Sequence, residues 1–124
     1  MTLRQHEQRQ TVLRIAAGGT TSAHFELMNR KPTAVMVPAN FTGTSLTITA
    51  APYTLDPSRP DGCGPGPSAF TPALSAAGQA MTLQAGPGRA IALQPGASQG
   101  LPFIRFVADA AQLIDTDLIL IHGA

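Results

Sequence analysis

The chain has no tryptophan, one tyrosine (Tyr53) and one cysteine (Cys63) among its 124 residues. A single cysteine excludes an intrachain disulfide framework and leaves the redox compartment open. Scarce aromatics leave no stacking platform for single-stranded nucleic acid. They also weaken a sugar-binding reading, since rings of that kind stack on sugar faces. Charge is equally scarce. Charged residues make up 12% of the chain and the net charge is +1, so no strong field gathers nucleic acid or an anionic membrane. No apolar run exceeds four residues, as at 34–37 and 118–121, which excludes a membrane-spanning helix. The first ten residues, MTLRQHEQRQ, are polar and no apolar stretch follows them, so no signal peptide is expected. The size, 12.8 kDa, fits one domain able to bury a core without metal or disulfide.

What is present is turn and strand chemistry. Twelve glycines and eleven prolines punctuate short runs rich in Thr, Ile and Val. Residues 1–10 hold Leu3, Arg4, His6 and Arg9 with three glutamines and offer no face to bury; they read as an arm, with a single domain over 11–124. Strands are expected at 11–16, 22–28, 33–37, 44–51, 79–85, 89–93, 101–108 and 117–122. Within 22–28, Ala23, Phe25 and Leu27 share one face while Ser22, His24 and Glu26 share the other. In 11–16 the alternation is imperfect, because Val12 falls on the same face as Arg14. Residues 118–121 are apolar on both faces, which suits a central strand or one covered by a partner. The expected core comprises Phe25, Leu27, Val35, Val37, Leu46, Ile48, Leu83, Ile91, Leu93, Ile104, Phe106, Leu118 and Leu120. About eight strands separated by turns predict an all-β antiparallel sandwich of jelly-roll type with an extended N-terminal arm.

Residues 52–72 break the pattern. Six prolines and three glycines in 21 residues permit no regular element, and loops of this length in compact domains are usually functional or disordered. Cys63 lies here between two glycines, with Arg59 as the nearest cation. A thiol nucleophile needs a base or cation to lower its pKa and a rigid setting; a passive loop thiol is the better reading. His6, His24 and His122 show no metal-ligand spacing. Asp115 and Asp117 would share a face of a strand, but adjacent same-face carboxylates do not flank a substrate as glycosidase carboxylates do. The run 86–89, Gly-Pro-Gly-Arg, lacks the Lys-Ser/Thr and helix of a phosphate loop and reads as a hairpin turn. No catalytic, cofactor or metal residue is expected, and the chain is not expected to be an enzyme. The charge divides along the chain: residues 1–31 carry five Lys/Arg and two Asp/Glu (+3), and 32–124 carry three and five (−2). A basic arm on a slightly acidic body suits docking on an acidic protein surface, and it equally suits a solvated terminus.

Residues 35–48, Val-Met-Val-Pro-Ala-Asn-Phe-Thr-Gly-Thr-Ser-Leu-Thr-Ile, carry a P-x-x-F-x-G-T-x-L-T run. This resembles the strand–turn–strand segment of small β-sandwich virion structural proteins of tailed bacteriophages. The similarity extends through 88–95, Gly-Arg-Ala-Ile-Ala-Leu-Gln-Pro, the Phe-Ile-Arg-Phe strand at 103–106 and the closing apolar strand at 118–121. It spans residues 33–122, with Leu101-Pro102 where the pattern has an aromatic. The resemblance implies a capsid decoration or cement protein on the virion surface, made in the bacterial host cytoplasm. Its partners would be the major capsid protein and other copies of itself, with no nucleic acid, membrane, small-molecule substrate or cofactor. On that reading Leu3, Arg4, His6 and Arg9 of the arm, and Arg59 and Cys63 of the loop, would contact the partner. A tail or fibre module that binds a host surface through the 52–72 loop is the alternative.

Overall fold

The computed structural model describes residues 8–27, 30–51, 70–73, 78–79, 81–93 and 103–123. Among the described residues there are nine strands and no helix. They are β1 (Gln8–Ile15), β2 (Phe25–Glu26), β3 (Lys31–Met36), β4 (Ser45–Ala51), β5 (Thr71–Pro72), β6 (Thr82–Gln84), β7 (Ala90–Ala92), β8 (Phe103–Ala108) and β9 (Thr116–Gly123). They build two antiparallel sheets. The first runs β1-β9-β3-β7. The second runs β2-β8-β4-β5, with β6 following β5 along the same edge of β4. The chain is thus an all-β sandwich, as its alternation and turn spacing predict.

Each sheet gives its inward residues to one core. From the first sheet come Leu13, Ile15, Val35, Leu118 and Leu120; from the second come Phe25, Leu46, Ile48, Ile104 and Phe106, all buried. Burying a side chain of this size stabilises the fold by roughly 1.5–3 kcal/mol. In β9 the period of two is unbroken, with Thr116, Leu118, Leu120 and His122 inward. Of the expected core, Leu83 and Ile91 are only partly buried and pack at its rim. Phe41 and Ala73 join the core from outside the strands.

Several expected boundaries differ. β1 begins at Gln8, so residues 8–10 of the expected arm are strand, paired with 121–123 of β9. The 22–28 strand shortens to Phe25–Glu26, because its register on β8 slips by one residue between Thr21, opposite Val107, and Phe25, opposite Ile104. Ser22 is buried, not outward: its N–H donates to the Phe106 carbonyl and its Oγ accepts from the Phe106 N–H at 2.9 Å. Residues 71–72, read as the end of a long loop, pair with Ala50 and Thr49 of β4. Pro72 is tolerated because β5 is at a sheet edge. Residues 86–89 do form a β-turn, closed by Arg89 N–H to Gly86 C=O with Gly88 at φ +70°. It is not a hairpin, however. β6 pairs with β4 and β7 with β3, so this turn carries the chain from the second sheet to the first. Most of the 1–10 arm and of the 52–72 loop lies outside the described residues.

Candidate functional site

Antiparallel sheets with one wet face normally alternate apolar inside with polar outside. The outward face of the first sheet departs from that rule. Val12 of β1 lies opposite Ile119 of β9, Ile119 opposite Met36 of β3, and Met36 opposite Ala90 of β7. The next outward row reads Gln10, Ile121, Ala34 and Ala92 by the same registers. Two rows across four strands therefore carry no charge and one polar side chain. Val12 is 56% exposed and Met36 41%. This is the both-faces-apolar character of 118–121 resolved: β9 is central, its Leu118 and Leu120 fill the core, and its Ile119 and Ile121 line the outer face.

The row beyond is charged but self-neutralised. Arg14 of β1 faces Asp117 of β9, donating from Nε at 2.7 Å and Nη2 at 3.2 Å to the two carboxylate oxygens. Asp115 adds an ion pair to Arg14 at 3.5 Å and accepts the Ala17 N–H at 2.9 Å. The hydrogen bond from Arg14 holds the Asp117 carboxyl below its ordinary range, and Asp117 in turn raises the guanidinium. The two aspartates are thus structural partners of one arginine.

The loop before β9 carries two further exposed apolar side chains. Leu113 is 81% exposed and Ile114 53%, and both flank a buried amide. Gln112 Oε1 accepts the Thr42 N–H at 2.9 Å and the Thr116 hydroxyl at 3.0 Å. Its Nε2 donates to the carbonyls of Thr42 at 2.7 Å and Ala110 at 3.1 Å. Its backbone exchanges bonds with Gly18 and Gly19. Three loops are locked together by this one residue, so the exposed Leu113-Ile114 tip is held in place. Asp109 plays a similar part beside it. Its carboxylate accepts from the Thr44 N–H and hydroxyl and from the Ser45 N–H, and those bonds lower its pKa.

With strands about 4.8 Å apart and same-face residues about 7 Å apart, the two rows cover a few hundred Å2. A stable protein interface takes about 800 Å2 from each partner. The two rows alone fall short of that area. Exposed apolar patches of this kind mark interaction sites.

The two described histidines sit in different surroundings. His122 is buried on the inward face of β9, 4.8 Å from the Phe25 ring. Its Nδ1 faces Arg30 Nη1 at 3.5 Å; a guanidinium only donates, so Nδ1 accepts and the Nε2–H donates to Thr11 Oγ1 at 2.8 Å. Burial, and then the nearby charges of Arg30 and Arg9, lower its pKa. His24 instead packs edge-on to Phe103 at 5.5 Å, near Phe70, whose ring lies 4.1 Å beneath the Arg105 guanidinium. Among the described residues no group of His, Cys, Asp and Glu is arranged to hold a metal. Of the residues expected to meet a partner, Arg9 is exposed on β1 opposite His122. Leu3, Arg4, His6, Arg59 and Cys63 lie outside the described residues. Val12, Met36, Leu113 and Ile114 were not among them. Comparison of the chain with protein-family models, with curated proteins and with solved structures finds no match.

Proposed function

We propose that this chain is a structural virion protein, a capsid decoration or cement protein that binds and stabilises the major capsid protein lattice of a tailed bacteriophage. The observation that carries this reading is the uncharged outer face of the β1-β9-β3-β7 sheet, with the Leu113-Ile114 tip beyond it. Such a surface suits burial against another protein far better than exposure to water. The described polar networks around Gln112, Asp109 and Arg14 are spent on fixing loops, which suits a scaffold more than a catalyst. The pairings β1 with β9, β2 with β8, β3 with β7 and β4 with β5 and β6 are nested, as in one long hairpin rolled up. That nesting supports the jelly-roll reading, with β5 and β6 as two pieces of one strand. The phage-like run at 35–48 links β3 to β4 between the two sheets, with Phe41 of the run in the core.

The mechanism is mass action. A protein that binds only the assembled lattice stabilises it by its binding free energy, and contacts between neighbouring copies add avidity. The tail or fibre alternative relies on the 52–72 loop, most of which lies outside the described residues. The decoration reading is tested with Val12→Lys combined with Met36→Lys, both at exposed positions. The double variant should fold normally and bind purified particles about ten-fold or more weakly, since each lysine would have to be desolvated unpaired. Unchanged particle affinity would reject the face as the contact.

A further inference from the structure

The edges of the two sheets are not alike. β1 carries Arg9 and Arg14, β2 carries Glu26 and β5 contains Pro72, all devices that discourage the addition of another strand. β6 and β7 carry none. β7 is Ala-Ile-Ala and β6 is Thr-Leu-Gln. The hydrogen-bond phase of β7 is fixed by its pairing with β3. Arg89 C=O accepts from Val37 N–H and Leu93 N–H donates to Thr33 C=O, so residues 89, 91 and 93 bond to β3. In an antiparallel ladder the alternate residues turn outward. Ala90 and Ala92 therefore present two N–H and two C=O groups to the open side, and among the described residues no strand pairs with them.

Beside this edge lies a cleft of about 600 Å3 between the two sheets, within the range of ligand pockets. Gln84 and Ala85 line it on the β6 side and Arg89 to Ala92 on the β7 side. Arg89 is the one charged residue of the lining, and it forms no ion pair with a described carboxylate. Of that lining, Ile91 and Ala85 are partly buried at the rim of the core.

We infer that the β7 edge is a strand-addition site for an extended, carboxylate-bearing segment of a partner protein. The outward main-chain groups of Ala90 and Ala92 bond its backbone. Its alternate apolar side chains cover Ile91 and Ala85. Its carboxylate pairs with Arg89. Recognition of this kind takes affinity from main-chain pairing and specificity from side-chain positions. The inference goes beyond the capsid reading and does not depend on it, since its test uses the isolated chain.

The probe is an end-capped octapeptide of alternating valine and threonine carrying one glutamate, with its glutamine twin, titrated into the full chain and followed by NMR. The expected result is shift changes centred on 90–92, with slowed exchange of the Ala90 and Ala92 amides. The glutamine twin should bind about two- to five-fold more weakly at low salt, as an exposed ion pair allows. Arg89→Gln should remove that difference while leaving residual binding. Ala92→Pro deletes an outward N–H without breaking a bond to β3, and should weaken both peptides at unchanged fold. No binding at millimolar peptide, equal affinities of the twins for the wild-type chain, or shifts centred on β1 would each overturn the inference. So would dimerisation through 90–92 without peptide, which would make a second copy the occupant.

Discussion

Gln112→Ala tests the scaffold that holds the exposed Leu113-Ile114 tip. The side chain is 2% exposed and makes four hydrogen bonds. Truncation strips the Thr42 N–H and C=O of their partners, takes one donor from the Ala110 carbonyl and takes one acceptor from Thr116. The Thr116 hydroxyl retains the Ile114 carbonyl at 3.0 Å, so its loss is small. Thr42 is half-buried, and water offsets part of its loss. With about 1–3 kcal/mol for each buried group left unpaired, discounted for that access, the expected destabilisation is about 2–4 kcal/mol. Gln112→Glu sharpens the test. Its second oxygen faces the carbonyls of Thr42 and Ala110, so the ionised form is repelled and the folded-state pKa is raised. The penalty is full at neutral pH and is relieved as pH falls through that raised value, because the protonated acid donates again to one carbonyl. Urea unfolding at pH 7 and pH 4, each compared with wild type at the same pH, reads both effects as midpoint shifts at constant slope. A loss under about 1 kcal/mol for Gln112→Ala, or a Gln112→Glu defect equal at both pH values, would refute the latch.

Wild-type stability should fall as pH drops below about 6.5, the ordinary histidine value, because His122 is held neutral in the fold and its folded-state pKa lies lower. Urea midpoints between pH 5 and 8 should show that slope, and His122→Gln should flatten it. A second decline should begin below about pH 4, where the depressed carboxyls of Asp109 and Asp117 begin to take up protons in the unfolded state first. Gly43→Ala should destabilise more than Gly88→Ala in thermal unfolding. Both glycines have positive φ, +131° and +70°, but a Cβ at 43 also runs into Asp109 Oδ1, whereas one at 88 meets nothing; the strain alone costs about 1 kcal/mol or more.

The long alternating runs are legible in the sequence alone. Residues 44–51 and 117–122 carry their inward and outward sets in plain sequence, and β4 and β9 follow them within one residue at each end. The 22–28 run misleads because its period of two continues across a slip of register against β8. Ser22 there bonds Phe106 through its side chain, a substitution that hydrophobic pattern does not register. β5 is hidden by its proline, and only its place beside β4 makes a strand of two residues. The apolar outer face was legible in pieces. Ile119 and Ile121 stand out as apolar residues with no core position left for them, and Val12 breaks the alternation of its strand. Their assembly into rows depends on register between strands about a hundred residues apart in the chain, which long-range pairing sets and local sequence does not. Leu113 and Ile114 resemble core residues until Gln112, polar and buried, takes the inward place between the loops.

The most direct measurement of the central claim is the copy number of this chain in purified virions, by quantitative mass spectrometry against the major capsid protein. Decoration of a repeating lattice predicts on the order of hundreds of copies per particle, in fixed ratio to the capsid protein. About three to a dozen copies, the range of a closed tail or fibre ring, or none at all, would contradict it.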